Sequence, residues 1–316
     1  MHRSLALAVS LVALATANLQ PADGRVARST DDPRIAAVGD IACKDPPKKN
    51  RQVCQYDDVS ELIAEGDYDA FLALGDTQYE YGRYVDFVEN YGVYFGRFLD
   101  ITYPAVGNHE YGTPDAAGYF RYFGRAAHGP DGWYSYDLGD WHVIALNSAV
   151  CSPYYGAPCG PGHPQYEWLK ADLAADDHVC TLAYWHHPVW DWEKYQNNHW
   201  VQSFDYDRGK PFWKLLVRND ADLVLAGHNH NYQRYAPMDE AGEEDPDHGI
   251  VEFIVGTGGR NTNDLGSVST TPATFVTGTG SDFGILELAL HPTSFNFAFI
   301  PTVSGGFRDA GSVACH

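Results

Sequence analysis

The sequence lacks any run of apolar residues long enough to cross a membrane. A membrane-spanning helix needs roughly 20 consecutive apolar residues, and the mostly apolar stretch over residues 5–15 falls short of that length. That stretch follows Arg3 and ends in Ala15-Thr16-Ala17, a pattern typical of secretory signal peptides and their cleavage sites. We therefore expect residues 1–17 to be a signal peptide, residues 18–33 a flexible lead-in, and the mature protein to be secreted without membrane association.

Basic residues are scarce. The chain has 21 lysines and arginines against 42 aspartates and glutamates, which gives a formal net charge of -21 at pH 7. Such an excess of negative charge repels nucleic acid and anionic membranes, so we expect no nucleic-acid binding. It also repels phosphorylated ligands at long range, and such a ligand would need a locally positive site such as bound metal ions. The alternative explanation is that the acidity only keeps an exported protein soluble.

None of the six cysteines forms a C-x-x-C pair, which argues against a cysteine zinc site and against a thiol-redox role. Six cysteines in an exported chain are typical of disulfide bonds, although they can pair in many ways. Short separations favour Cys43 with Cys54 and Cys151 with Cys159. Cys180 and Cys315 then remain, and a bond between them would tie the C-terminal tail to the body of the protein.

Beyond the lead-in, the chain shows neither internal repeats nor a long low-complexity linker, and we expect one domain over residues 34–316. Short apolar segments with strand character recur along it: RIAAVGD, DAFLALGD, YPAVGNHE, WHVIALNS, CTLAYWHH and DLVLAGHNH. Helical candidates lie between some of them: YDDVSELIAEG, YVDFVENYGVYFGRFLD, HPQYEWLKADLAAD and PFWKLLVRND. This alternation predicts a buried sheet with helices on its faces. The later segments IVEFIVGTGG, FGILELALHP and SFNFAFIP lack intervening helices and predict antiparallel strands, which indicates a second sheet.

Five of the apolar segments end in a small turn that is followed directly by a residue able to bind a metal ion. These residues are Asp40, Asp76, Asn108, His186, and the pair His228 and His230. Because ligand sites in α/β sheets collect beyond the carboxyl ends of the strands, we expect these side chains to converge. Each one alone has an ordinary explanation, as a turn residue, a helix cap or a core histidine. Together, these explanations require five unrelated coincidences at equivalent positions.

Carboxylate, carboxamide and imidazole ligands suit borderline or hard divalent and trivalent ions rather than thiophilic ones. Two such ions about 3.5 to 4 Å apart would hold a phosphoryl group, activate a water between them and neutralise developing charge. A carboxylate shared by both ions would maintain that spacing. The ligand types are therefore chemically coherent with such a pair of ions.

Five short motifs occur in order along the chain: GD at 39–40, GDTQY at 75–79, GNHE at 107–110, HHP at 186–188 and GHNH at 227–230. As a set they resemble the motifs of the calcineurin-like metallophosphoesterases. GDTQY, HHPVW and GHNHNYQR are most similar to those of the purple acid phosphatases. The resemblance implies a layered α/β (α+β) fold, a four-layer β-sandwich flanked by helices, with the metal site at the C-terminal ends of the strands.

The resemblance also implies which residue binds which ion. Asp40, Asp76, Tyr79 and His230 would hold the first metal; Asp76, Asn108, His186 and His228 would hold the second, with Asp76 as the bridge. Most members of the superfamily carry a histidine at the position of Ala42, and Tyr79 would replace that ligand as a phenolate, which favours Fe(III). The alternative is that Tyr79 is simply one of several aromatic residues in QYEYGRY.

Two further histidines match residues that face the substrate in the family. His109, beside Asn108, would contact the phosphate and protonate the leaving oxygen. His199 lies thirteen residues after His186, near the position of a second such histidine, although the local spacing differs. His187 is expected behind the ligands rather than among them.

Two positions, Asn147 and Arg260, have open interpretations, and a third, Arg234, has a structural one. Asn147 either faces the site or ends a strand in a turn. GTGGR at 256–260 lacks the G-K-[ST] ending of a P-loop and predicts a tight turn beside the site, with Arg260 either at the substrate or in solvent. Arg234 is expected to form a structural ion pair.

The resemblance therefore implies a secreted phosphoesterase with Fe(III) and a divalent ion (Fe, Zn or Mn), in which a metal-bound hydroxide attacks small phosphomonoesters. One alternative is a phosphodiesterase with the same metal centre. Another is a protein that binds metal or phosphate without turnover. The sequence predicts no particular oligomeric state.

Overall fold

The computed structural model describes most of the chain beyond the lead-in. The described residues are 25, 32–47, 53–151, 159–192, 195–196, 199–200, 207–265 and 271–316. The predicted signal peptide and most of the predicted lead-in lie outside them. Among the helices of this described part, none combines the length and the apolar character that a bilayer span requires.

The structure is built from short strands and a smaller number of helices. The strands are β1 (Arg34–Val38), β2 (Ala70–Leu74), β3 (Thr102–Ala105), β4 (Tyr134–Leu138), β5 (Trp141–Ala145), β6 (Cys180–Trp185), β7 (Tyr195–Gln196), β8 (His199–Trp200), β9 (Leu223–Ala226), β10 (Tyr232–Tyr235), β11 (Val251–Val255), β12 (Phe275–Thr279), β13 (Gly284–His291), β14 (Ser294–Pro301) and β15 (Asp309–Ala314). The α-helices are α1 (Tyr56–Glu65), α2 (Tyr84–Asp86), α3 (Gly92–Phe95), α4 (Ala117–Phe123), α5 (Pro164–Ala175) and α6 (Lys210–Val217).

Two large sheets contain most of these strands. The first has the order β15-β14-β13-β1-β2-β3, in which β1, β2 and β3 are parallel and β13 to β15 continue antiparallel. The second has the order β12-β10-β11-β9-β6-β5-β4, with β11, β9, β6 and β5 parallel and the outer strands antiparallel. Strands β7 and β8 form a separate two-stranded sheet.

The two large sheets pack face to face through aromatic side chains. Phe253 of β11 lies 5.0 Å from Phe297 of β14, and Tyr232 of β10 lies 4.5 Å from Phe299, measured between ring centroids. Burial of each such ring stabilises the fold by roughly 1.5 to 3 kcal/mol. The expected four-layer sandwich is confirmed, since helices cover the outer faces of both sheets.

Burial on both faces explains the nearly continuous apolar strands. In β9, Leu223 and Leu225 join the core between the sheets, whereas Val224 joins a second cluster on the outer face. That outer cluster contains Leu169 of α5 and Trp213 of α6. Because successive side chains of a strand point to opposite faces, a central strand buried on both sides has no polar positions to alternate with.

Most predicted elements are present, with one error of direction. All six apolar segments form strands, and the predicted helix over 84–100 is a composite of α2, a π-helical turn (Phe87–Tyr91), α3 and a 3₁₀ segment (Gly96–Ile101). The expectation that IVEFIVGTGG is antiparallel is wrong with respect to β9, because β11 runs parallel to it. The short strand β10 lies between them in sequence and reverses the chain, so β11 returns to the direction of β9.

All three predicted disulfide bonds are present. They join Cys43 to Cys54, Cys151 to Cys159 and Cys180 to Cys315. The third connects the first residue of β6 to the residue after β15. It therefore links the second sheet to the first.

Candidate metal centre

The loops after β1 and β2 lie side by side at the carboxyl edge of the first sheet. Asp40 N donates to the Gly75 carbonyl oxygen at 3.1 Å, and Ile41 N donates to the Asp76 carbonyl oxygen at 3.0 Å. Asp40 and Asp76 have φ values of 61° and 47°, in the left-handed region. That conformation costs roughly 1 to 2 kcal/mol for a residue other than glycine. It turns both carboxylates into the interior, where both residues are buried.

Glu110 holds these loops in place. Its buried carboxylate accepts hydrogen bonds from the backbone N–H groups of Asp76 (3.0 Å), Thr77 (2.8 Å), Gln78 (3.2 Å) and Gly107 (2.8 Å). The Thr77 hydroxyl donates a fifth bond at 2.9 Å. Burial raises the pKa of Glu110. This role was not predicted from the sequence, although Glu110 is the last residue of the GNHE motif. Glu110 fixes the loops after β2 and β3 together.

A first group of donor atoms surrounds the hydroxyl of Tyr79. That hydroxyl lies 2.7 Å from Asp40 Oδ1, 3.1 Å from Asp76 Oδ2 and 2.9 Å from His230 Nε2. His230 Nε2 is 3.2 Å from Asp40 Oδ1. Burial, reinforced by Asp40 and Asp76, raises the pKa of Tyr79 well above its usual value. A phenolate at this position therefore requires a strongly charged cation beside it.

A second group surrounds His186, the residue that follows β6. His186 Nε2 lies 3.2 Å from Asp76 Oδ2, 3.2 Å from Asn108 Oδ1 and 3.3 Å from His228 Nδ1. Asp76 Oδ2 thus belongs to both groups. His228 has φ of 71°, and its backbone N–H donates to Asp40 Oδ2 at 2.7 Å, which fixes the start of the GHNH turn.

The donor chemistry fits two cations. His186 Nδ1 is 2.9 Å from the Leu74 carbonyl oxygen and donates to it, so Nε2 is the nitrogen that faces the oxygens of Asp76 and Asn108, where it binds either a metal ion or a second proton. Acceptor atoms at such distances repel one another unless a cation lies between them. Ligand atoms about 2.1 Å from one ion lie roughly 3 Å apart at octahedral corners, which matches the spacings in both groups.

The pKa shifts of His186 and Asp40 also indicate that positive charge is stabilised in this site. Burial opposes charge on His186, but Asp76 outweighs burial and raises the pKa of His186 to about 9. Burial likewise opposes ionisation of Asp40, yet the pKa of Asp40 is lowered because His230 lies beside it. The site is therefore a buried concentration of negative charge that attracts cations.

His109 borders the site on its solvent side. Its backbone N–H donates to Asp76 Oδ1 at 2.8 Å, and its Nδ1 donates to the Glu80 carbonyl oxygen at 2.7 Å. The ring packs 4.2 Å from the ring of Tyr79, and Nε2 lies 3.9 Å from Asp76 Oδ2. The side chain is 30% exposed. Its Nε2 therefore faces the donor groups from a position that solvent can reach.

The predicted turn at 256–260 lies beside the site. Gly258 N donates to the Gly39 carbonyl oxygen at 2.9 Å, and Arg260 N donates to that of Asp40 at 3.1 Å. The Arg260 guanidinium is neither at the donor groups nor free in solvent: it pairs with Glu80 and lies 5.2 Å above the centre of the Tyr79 ring. It positions the aromatic ring that carries the phenol.

Other residues singled out in the sequence have structural surroundings. His187 is buried, its Nδ1 lies 2.8 Å from Ser148 Oγ, and its ring packs 4.5 Å from that of His228, which places it behind the donor groups. Burial lowers the pKa of His187 well below its usual value. The Asn147 amide donates to the Tyr111 hydroxyl at 2.9 Å and to a backbone carbonyl at 3.0 Å, which supports the turn interpretation.

Arg234 and His199 are the remaining two residues that the sequence analysis singled out. Arg234 forms a two-pronged ion pair with Asp309 at 2.7 and 3.0 Å, so its predicted structural role is confirmed. His199 is exposed in β8, where it pairs with Gln196 of β7. Its proposed substrate contact stays a prediction.

Glu252 of β11 supports the loop that follows His186 and His187. Its buried carboxylate accepts hydrogen bonds from Val189 N at 3.0 Å and Trp190 N at 3.1 Å. Burial outweighs these bonds and raises the pKa of Glu252 to about 8. Sequence reasoning missed this role too, because a glutamate within an apolar strand shows no partner until the sheet is assembled.

Comparison with known proteins places this geometry in context. Residues 33–232 match the profile of a family described as calcineurin-like phosphoesterase. Purple acid phosphatase 21 from Arabidopsis thaliana is 29% identical over 218 residues, which cover 63% of this chain and 46% of that protein. This chain thus spans about half the length of that relative. A nucleotide pyrophosphatase/phosphodiesterase from Hordeum vulgare is 23% identical over 320 residues, covering 89% of this chain and 82% of that protein.

A solved structure shares the fold. The purple acid phosphatase PPD1 from yellow lupin (Lupinus luteus) seeds superposes with a TM-score of 0.70 at 16% sequence identity. The match covers 90% of this chain and 54% of that one. It supports the layered arrangement of two sheets with helices on their outer faces.

Proposed function

The chain belongs to the calcineurin-like phosphoesterase family, and from that premise we propose that it hydrolyses phosphomonoesters at a centre of two metal ions within one catalytic domain, residues 34–316. The observation that carries the proposal is the position of Asp76. Its Oδ2 lies 3.1 Å from the Tyr79 hydroxyl and 3.2 Å from His186 Nε2, so one carboxylate oxygen serves both donor groups.

The two donor groups divide the ligands between the ions. Asp40, Tyr79 and His230 would bind the first ion with Asp76; Asn108, His186 and His228 would bind the second with Asp76. When bound, the ions supply Lewis acidity, neutralise phosphoryl charge and lower the pKa of water. We propose Fe(III) at the first position, because the raised pKa of buried Tyr79 means that only a highly charged ion would hold a phenolate there.

His109 is the proposed proton donor. Its Nδ1 is held by the Glu80 carbonyl oxygen, which orients Nε2 toward the donor groups. A proton at Nε2 would pass to the leaving alkoxide oxygen as the ester bond breaks. Asn108, the preceding residue, would contact the phosphate as well as the second ion. His199 is proposed as a further substrate contact.

The experiment compares two chromogenic substrates after metal reconstitution. We expect a higher kcat/KM for p-nitrophenyl phosphate than for bis(p-nitrophenyl) phosphate, since a monoester presents the charge that two cations would neutralise. The visible spectrum is recorded with the same protein, and a charge-transfer band that disappears in Tyr79→Phe is expected for Fe(III) and phenolate. An active, fully metallated but colourless enzyme would contradict the iron assignment alone.

A phosphodiesterase is the second candidate. The barley pyrophosphatase/phosphodiesterase matches more of this chain than the Arabidopsis phosphatase does, 89% against 63%. Faster turnover of the bis-ester would favour this candidate and overturn the monoesterase proposal. If the metallated protein hydrolysed neither substrate across a broad pH range, a binding function without turnover would replace both.

We also infer that the protein is exported. The three disulfide bonds are compatible with an oxidising compartment. N-terminal sequencing of protein recovered from culture medium should begin at Asn18, directly after the expected cleavage signal. Recovery of uncleaved protein from the cytoplasm alone would contradict this inference.

A further inference from the structure

A second cluster of imidazoles and carboxylates lies at the opposite edge of the second sheet. His142 is near the start of β5, and Asp137 of β4 is its direct partner across the ladder. The candidate metal centre lies beyond the other end of the parallel strands, where His186 follows β6. His178, just before β6, and Asp176, just after α5, complete the cluster.

Asp172 sets the orientation of His142. Asp172 Oδ2 lies 2.9 Å from His142 Nε2, and its other oxygen accepts from Ser135 Oγ at 2.7 Å. Because the carboxylate accepts a hydrogen bond from Nε2–H, the lone pair of the neutral ring lies on Nδ1. A carboxylate that holds the far nitrogen of an imidazole in this way is the usual support of a metal-bound histidine.

Further donor atoms surround that lone pair. Asp137 Oδ1 is 3.1 Å and Asp176 Oδ1 is 3.9 Å from His142 Nδ1. His178 Nδ1 is 2.6 Å from Asp176 Oδ1, and the rings of the two histidines are nearly parallel, 20° apart. The ligand atoms of Asp137, His142 and His178 all lie within 4.8 Å of one another.

We propose that Asp137, His142, Asp176 and His178 form a site for one borderline divalent cation such as Zn²⁺, separate from the catalytic centre. Two imidazole nitrogens and two carboxylate oxygens are a donor set that Zn²⁺ takes in tetrahedral sites. Tetrahedral ligands about 2.1 Å from an ion lie roughly 3.4 Å apart, which falls between the 3.1 and 3.9 Å spacings from His142 Nδ1. His178 Nδ1 and Asp176 Oδ1, which are 2.6 Å apart, would have to separate by roughly 0.8 Å when the ion binds.

The surroundings allow an ion to enter. The Asp137 side chain is 62% exposed, and Asp176 and His178 also line a surface cleft that includes Thr181. His142 itself is only 9% exposed, so the ion would be held at the boundary of the interior. Bound there, it would join the β4–β5 hairpin, the end of α5 and the start of β6, which indicates a structural rather than a catalytic role.

The competing explanation is that a second proton on His142, rather than a metal ion, satisfies the carboxylates. The number of zinc ions bound per chain distinguishes the two explanations. Chelator-treated protein is dialysed against Zn²⁺, and bound zinc is measured in the wild type, in Asp137→Asn and in His178→Gln. We expect each variant to bind one ion fewer per chain than the wild type, whatever number the catalytic centre holds.

His291→Gln is the matched control. His291 is 25% exposed and contacts one carboxylate, that of Asp32, at 2.7 Å, whereas His178 is equally exposed and contacts Asp176 at 2.6 Å. The control should keep the zinc content of the wild type. Zinc should also raise the Tm of the wild type by several degrees more than that of Asp137→Asn, when zinc is in hundredfold excess over Kd.

Equal zinc content in the wild type and both variants would overturn the proposal. Asp137 is mostly exposed, so Asp137→Asn leaves the core intact and its zinc count can be measured even if His178→Gln folds poorly. Phosphoesterase activity in the two variants should equal that of the wild type. The test of the second metal site is therefore independent of the test of the proposed catalytic function.

Discussion

The two sheets contribute different chemistry to the candidate metal centre. Donor groups from loops of the first sheet are oxygens: the carboxylates of Asp40 and Asp76, the Tyr79 phenol and the Asn108 amide. Donor groups that follow strands of the second sheet are imidazoles, those of His186, His228 and His230. The site lies where the carboxyl edges of the two sheets meet, and neither sheet alone supplies all of the donor groups.

The two sides are also held in place differently. On the first sheet, Glu110 receives five hydrogen bonds from the loops that carry the oxygens. On the second, Glu252 receives two from the segment after His187, while His186 follows its strand directly. The positions of the oxygen donors thus depend on hydrogen bonds between loops. The position of the His186 imidazole depends instead on strand β6, which it follows directly.

The largest effect is expected when Asp76, the proposed bridging ligand common to both donor groups, is changed. Asp76→Asn keeps a side chain that tolerates the left-handed backbone but removes the charge. Loss of several kcal/mol of transition-state stabilisation corresponds to a fall in kcat/KM of roughly a thousandfold or more. His186→Gln, on the imidazole side, should cost less. Metal content and kcat/KM are measured together, and a larger loss in His186→Gln would reverse the comparison.

The next largest effect concerns the two buried glutamates. Glu110→Gln turns an amide NH₂ toward backbone donors in place of a carboxylate oxygen, and should lower kcat/KM by roughly 10- to 100-fold. Glu252→Gln, which disturbs two hydrogen bonds rather than five, should lower it less than tenfold. Circular dichroism is the control for folding. Equal losses in the two variants would show that both loops are held equally.

Glu252 also predicts a dependence of stability on pH. Burial raises its folded-state pKa from 4.5 to about 8, so the folded protein binds the proton more tightly than the unfolded chain does. The contribution of Glu252 is therefore fully present below about pH 4.5 and is lost as pH rises to about 8. Because a change of one in pKa corresponds to about 1.4 kcal/mol, denaturant unfolding should show a loss of roughly 5 kcal/mol over this range. The slope should be smaller in Glu252→Gln, and an unchanged slope would reject the assignment.

The smallest effect is expected at the contact between the two sides. Arg260, after β11, pairs with Glu80, after β2, and covers the Tyr79 ring. The pair is partly exposed, so Arg260→Met should change kcat/KM only by about two- to fivefold. Arg234→Met, which loses an ion pair remote from the donor groups, is the control. A loss above a hundredfold in Arg260→Met would mean that the guanidinium contacts the substrate.

The central strands and the donor residues that follow them could be predicted from the sequence. The central strands are buried on both faces, so they appear as apolar runs, and the donor residues follow them directly. Edge strands such as β12 (FVTGT) and β15 (DAGSVA) carry glycine and polar residues and give no such signal. The roles of Glu110 and Glu252 were out of reach because hydrogen bonds between distant loops leave no local pattern.

The bond between Cys180 and Cys315 has a consequence for biosynthesis. The partners of Cys43 and Cys151 lie 11 and 8 residues later in the chain, whereas the partner of Cys180 lies 135 residues later. At a translation rate of about 5 to 20 residues per second, Cys315 is therefore synthesised roughly 7 to 27 s after Cys180. During this time the free Cys180 thiol can attack the Cys151–Cys159 bond, which lies earlier in the chain, so a host's capacity to reshuffle wrong pairs, rather than its oxidising strength alone, should limit the yield of correctly bonded protein.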